Sequence, residues 1–239
     1  MNLRGLAAAS VLLAGSSLWA QEAQPSADAS IFASVVHTST GETLKNVRVL
    51  VKDGRIETIM AGADAGDDSV SGTVLTAGMI VLSPRISRSE HAVEQTNELE
   101  PRLSVAGALD LYSPTWNRLA QTGVTTVMVT PPDRNVVGGM CAILKTHGSM
   151  DMAERQLDGH SFLRGAMGDA PSSGNRPAWG SPDSIYNRRP TTRMGVEWEW
   201  RKAFYDAAAA GEYPELEFPG ADVFRAVLSG NVSLYVQAF

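Results

Sequence analysis

Twice along this chain an apolar helical run stops at a glycine and passes directly into an apolar strand. In the first, Ser113-Pro114 reads as an N-cap with proline at the first helical position, Gly123 is the stop, and Val124 to Val129 is the strand. In the second, Ala221 to Leu228 sets Val223, Phe224, Val227 and Leu228 on one helical face, Gly230 stops it, and Val232 to Phe239 reads as a strand. A helix feeding a strand in this way predicts an α/β layer with parallel strands.

The N-terminal part has a different grammar. Ile31 to Val36, Val47 to Lys52 and Arg55 to Ile59 are short apolar or alternating runs, and the last two are joined by Asp53-Gly54, a two-residue hairpin signal. They predict antiparallel β structure. Asp64 to Gly72 reads as a loop and Thr73 to Leu82 as a strand broken at Ala77-Gly78, with no helical period before about Leu99. Between the two helix-strand phrases, Cys141 to Leu144 reads as a short strand after Gly138-Gly139, and Ala170 to Asn187 as a Pro/Gly/Ser loop. Thr192 to Ala210 reads as a helix, in which Val196, Trp200, Ala203, Phe204, Ala207 and Ala208 recur at spacings of three and four. That periodicity makes its aromatics core rather than ligand groups. The final strand, Tyr235 to Phe239, has no helix behind it, and a parallel strand requires cover on both faces. The expectation is a truncated polypeptide or one completed by a partner chain.

Charge and cysteine content narrow the function classes. With 20 basic against 26 acidic residues the net charge is −6, and no basic run offers a footprint for nucleic acid. The lone Cys141 excludes an internal disulfide and a Cys-x-x-Cys site. Arg4, the apolar Leu6 to Leu18 and the Leu18-Trp19-Ala20 ending before Gln21-Glu22 form a signal peptide pattern over residues 1–20, so an exported, periplasmic or secreted protein is expected. The apolar run falls short of the roughly 20 residues that a membrane span needs.

Five segments occur in an order that resembles the amidohydrolase superfamily, specifically its imidazolonepropionase-like branch. They are Val51-Lys-Asp-Gly-Arg-Ile56, Gly78-Met-Ile-Val81, Gly123-Val-Thr-Thr-Val127, Asn135-Val-Val-Gly-Gly139 with Ile143-Leu-Lys-Thr146, and Pro190-Thr-Thr-Arg-Met-Gly195. The resemblance implies an α/β fold: a partial TIM-like (β/α)8 barrel over 83–239, C-terminally incomplete, preceded by a linker and strands of a small β-sandwich over 21–82. It implies metal-dependent hydrolysis of non-peptide or cyclic C–N bonds in a small amide-type substrate, using a divalent metal such as zinc. A partner chain or a missing C-terminal half would complete the barrel.

In that family two histidines one residue apart on a strand share a metal, since strand side chains alternate with period two. The corresponding stretch here, Ser83 to His91, has Ser89 in place of the first histidine and retains only His91. Gln237 stands where relatives carry a further metal-binding histidine. Lys145 matches a lysine of the relatives, with a solvent-facing strand-end lysine as the competing reading. His91 and Lys145 are therefore the remaining candidate metal residues, and the resemblance implies a depleted site with little hydrolase activity. The alternative is a non-catalytic exported binding or scaffold protein. His37, His147 and His160 read as structural or solvated, the Glu94, Glu98 and Glu100 group as a solvated face, and Gly138-Gly139 lacks the ending of a phosphate loop. Asn231-Val232-Ser233 matches a glycan acceptor pattern on a strand expected to be buried. Intact-mass analysis of protein from the producing cell should find residues 1–20 removed; full-length material alone would contradict export.

Overall fold

The computed structural model describes residues 28–66, 69–86, 89–173 and 189–238. The N-terminal segment read as a signal peptide and most of the 170–187 loop lie outside the described residues. The chain divides into two compact units, one ending at Ala77 and the other starting at Gly78.

The first unit is a four-stranded sheet of β1 (Ala29–His37), β2 (Thr43–Lys52), β3 (Arg55–Ala61) and β4 (Ser69–Thr76), in the order β3-β2-β1-β4. The β2–β3 hairpin turns at Asp53-Gly54, whose φ values of 50° and 70° are both positive, as a type I′ turn requires. The Asp53 N–H donates to Asp28 Oδ2 at 2.6 Å, tying the turn to the start of β1. Alternation buries Val47 and Val49 of β2 against Ala33 and Val36 of β1. One feature departs from the antiparallel expectation: β4 begins at Ser69, inside the expected loop, and runs parallel to β1.

In the second unit β5 (Met79–Leu82) is followed by α1 (Thr115–Gln121) and β6 (Val124–Val129). The Ser113 hydroxyl accepts the Thr115 N–H at 3.5 Å, and Gly123 takes a φ of +83° as the chain leaves the helix. Next come β7 (Val137–Met140), β8 (Ala142–Lys145), α2 (Met152–Arg155), β9 (Gln156–Asp158), β10 (Phe162–Ala166), α3 (Arg193–Ala209), α4 (Ala221–Leu228) and β11 (Ser233–Gln237). They build two sheets, β5-β6-β8-β9 and β11-β10-β7.

These sheets correct the barrel expectation. Among the described residues there is no closed barrel, and the fold is not a TIM-like (β/α)8 barrel but a set of small mixed sheets with four helices. Strand direction explains the difference, because a (β/α)8 barrel pairs all its strands in parallel. A parallel pair needs a crossover of a dozen or more residues. In this unit the β5-to-β6 and β10-to-β11 pairs, each joined through a long helical connection, run parallel. The remaining pairs of the two sheets double back: β8 is antiparallel to β6, β9 to β8, and β7 to β10.

Each sheet carries its own core. Trp116 of α1 packs with Val124, Val127, Val129, Ala142 and Leu144, while Trp200 and Phe224 of α3 and α4 pack with Val136, Val137, Met140 and Leu163. Thr192 caps α3 by accepting the Gly195 N–H at 3.1 Å. Trp200 fits over Gly165, where a Cβ would lie 2.2 Å from its ring, and its indole donates to the Ala166 carbonyl at 3.0 Å. Among the described residues no helix is long and apolar enough to cross a membrane. Val127 is fully buried, so Val127→Asp should abolish soluble expression, because an unpaired buried carboxylate costs several kcal/mol. A soluble variant with the wild-type Tm would show the opposite.

Candidate functional site

A cavity of about 540 Å³ opens where the two parallel strand pairs end. Ligands of open α/β sheets commonly settle at the carboxyl ends of strands, where loops and unpaired backbone groups converge. Four segments supply the lining: Ser83, Pro84, Arg85 and Ser89 after β5, Thr130 to Arg134 after β6, Arg164 from β10 and Gln237 from β11.

Local structure fixes each wall. Ser83 leaves β5 with a φ of 54°, its N–H donating to the Met128 carbonyl at 2.8 Å, and its hydroxyl lies 2.7 Å from that of Thr130. These bonds hold the exits of β5 and β6 together. Ser89, 4% exposed, accepts the Ile86 N–H on its hydroxyl at 3.3 Å, so that oxygen braces the turn after β5. Asn135 is buried behind the proline-rich segment and donates to the Glu94 and Asn97 carbonyls at 2.5 and 3.2 Å. Gly139 has a φ of +117° and lies so near the Leu103 carbonyl that a Cβ would meet its oxygen at 2.5 Å. β7 can therefore pass close to the Leu103 backbone.

Arg164 is the group that sequence reasoning missed. The sequence of Phe162 to Ala166 gives no role to it, and the one signal there is a single arginine inside an otherwise apolar run. Its side chain is 4% exposed, and Nη2 donates to Gln237 Oε1 at 2.5 Å. The guanidinium carbon lies 5.2 Å from the centre of the Tyr235 ring, a cation–π contact. Burial lowers its pKa, and Tyr235, Asp133 and Cys141 act in the opposite direction. The guanidinium remains a cation under all ordinary conditions.

The residues expected from sequence are distributed unevenly. Ser89 and Gln237, 148 positions apart, line the same cavity. His91 is exposed at the end of the turn Ser89–His91 and is not among the lining residues. Lys145 is exposed and pairs with Thr126, whereas the cavity lies beyond Val129 at the other end of β6. His37 bonds Thr43 through Nδ1, and His160 closes a turn on Asp158, its N–H donating to Oδ1 at 2.8 Å. Glu94 accepts from the Thr96 N–H two residues along its own loop, and Glu98 lies 3.9 Å from Arg189. Asn231 and Ser233 are exposed, not buried as expected.

The lining chemistry can be weighed against a divalent metal. Such an ion takes three or four ligands from His, Cys and carboxylate groups, and here Asp133 is the lone member of that set, facing three arginines. Among the described residues no group of three or more His, Cys, Asp or Glu could hold a metal ion. The cavity suits a ligand that accepts hydrogen bonds better than one that demands electron pairs.

No family model matches the chain, and none of the curated proteins matches it. Among solved structures, an amidohydrolase from Thermotoga maritima MSB8 superposes with a TM-score of 0.69 at 24% identity, covering 87% of this chain. That match spans 58% of the Thermotoga chain, so this chain corresponds to little more than half of its length. The likeness is one of fold.

Cys141, between β7 and β8, is buried, and burial pushes its thiol up to about 12, against a smaller opposing effect of Arg164. A thiol with a folded pKa above its ordinary 9.0 stabilises the protein below pH 9, and that contribution is lost as pH rises from 9 towards 12. Alkylation by iodoacetamide at pH 8 should therefore proceed only after denaturation; rapid labelling of native protein would contradict the burial.

Proposed function

We propose that this chain is a small-molecule-binding protein with an amidohydrolase-like fold, exported from the cell, whose capacity for metal-dependent C–N hydrolysis is weak or lost. The observation that supports this reading best is the make-up of the cavity at the strand ends. The two positions where the family resemblance expects imidazoles, Ser89 and Gln237, meet there, and what surrounds them is Arg85, Arg134 and Arg164.

The chemistry follows from that lining. A serine hydroxyl and a neutral carboxamide are poor ligands for zinc beside guanidinium groups, which raise the electrostatic cost of a second cation. His91 and Lys145 are too widely placed to compensate, one exposed outside the cavity and the other at the far end of β6. The same groups are good hydrogen-bond donors to a small polar molecule: arginine offers five N–H donors, and the hydroxyls and the carboxamide add more. A volume of about 540 Å³ accommodates such a ligand.

Metal content tests the reading. Purified protein dialysed against a weak chelator should hold far less than one zinc per chain by plasma mass spectrometry. Ser89→His with Gln237→His should raise zinc affinity by about 10-fold or more, since it adds two imidazoles to one cavity wall. Wild-type protein that retains about one stoichiometric zinc would overturn the proposal.

A further inference from the structure

Arg164 is a buried cation with most of its hydrogen-bonding capacity unused. It is 4% exposed, and its side-chain acceptor among the described residues is neutral, the Gln237 carboxamide oxygen. Its Nε is buried with no hydrogen-bond partner, the one such side-chain atom among the described residues. Buried donors are almost always satisfied, and an unpaired one on a charged group carries a large desolvation cost. Asp133 acts on the guanidinium only through space, and the Tyr235 ring supplies a cation–π contact rather than an acceptor.

The cavity this group helps to line points to what is missing. Arg85 and Arg134 join Arg164 in its wall against the single carboxylate of Asp133, giving the described lining an excess of positive charge. Ser83, Ser89 and Thr130 add hydroxyls, with those of Ser83 and Thr130 already paired at 2.7 Å. A planar guanidinium matches the two oxygens of a carboxylate or phosphate.

We propose that the cavity binds the oxyanion of a small molecule, a carboxylate or a phosphate, and that Arg164 is its anchor. The inference rests on the cavity being a ligand site, as proposed above. The oxyanion neutralises the buried charge and takes up donors that the protein leaves unused, while the Gln237 amide, held against Nη2, sets the tilt of the guanidinium plane. Arg85 and Arg134 supply attraction at the rim.

Differential scanning fluorimetry with inorganic phosphate, succinate and, at matched ionic strength, chloride tests this. Phosphate or succinate should raise the wild-type Tm by several degrees at concentrations well above Kd, chloride should not, and the stronger arm identifies the oxyanion. Arg164→Met should lose the response. Because that change falls in a buried position, Gln237→Glu provides an independent readout: it places a carboxylate on the guanidinium, so the ligand-free Tm should rise and the anion response should vanish. No shift with either anion beyond that of chloride, or an undiminished response in Gln237→Glu, would overturn the anchor. A parallel zinc chloride titration separates the two proposals. A Tm rise with zinc that a chelator reverses would overturn the binding-protein reading as well, whereas silence to both zinc and the anions would overturn the anchor alone.

Discussion

The second unit depends on one stretch of backbone, from Val136 to Lys145, that belongs to both of its sheets. β7 lies in one and β8 in the other, with Cys141 alone between them and its N–H donating to the Phe162 carbonyl at 2.9 Å. Val136, Val137, Ala142 and Leu144 are fully buried, so the stretch contributes to both cores. Its passage requires backbones to approach closely, which Gly139 allows where it meets the Leu103 carbonyl. Arg155 then secures the exit: its guanidinium lies 4.5 Å from the Trp116 ring centre and donates to the carbonyls of Lys145 and Thr146. Two small cores joined in this way share their stability, and loss of one should expose the other.

Local features of the fold were legible wherever a short-range chemical reason existed. Asp53-Gly54 marked the hairpin because few other residue pairs tolerate two positive φ values. Thr192 and the three-four spacing from Val196 onward marked α3, observed over Arg193–Ala209 with the expected buried face of Val196, Trp200, Ala203 and Ala207. Burial of Val124, Val127 and Val129 followed from an apolar run after a glycine stop. The choice of strand partner was not legible. Nothing in Ser69 to Thr76 says that it pairs parallel to β1, and alternation cannot distinguish a barrel strand from one in a small mixed sheet. The barrel expectation rests on resemblance, and the antiparallel pairing of β7 with β10 and of β8 with β6 works against it.

The cavity gathers some of the positions that the sequence points to and not others. Ser89 and Gln237 were singled out from sequence as two ligand positions, and both line the cavity; His91 and Lys145 were singled out on the same grounds and do not. The difference is one of geometry. Lys145 lies on a strand antiparallel to β6, which carries its C-terminal residue away from the end where Thr130 begins the cavity wall. An isolated arginine has no periodicity, so its sequence signal marks a position without a role; the pairing of β10 with β11, which sets Arg164 opposite Tyr235 and Ala166 opposite Gln237, supplies the role.

The fit of Trp200 over Gly165 has a consequence for how this protein can vary. The ring occupies the space of a missing side chain one residue along β10 from Arg164, and its indole is bonded to the next carbonyl, so helix and strand are indexed like a key in its ward. Neither residue can drift alone: a larger group at position 165 needs a smaller ring at 200, and a smaller ring leaves a void beneath the strand. Substitutions at the two positions should therefore appear as correlated pairs among natural variants, and the depth at which the guanidinium sits is inherited from a tryptophan 36 residues further along the chain.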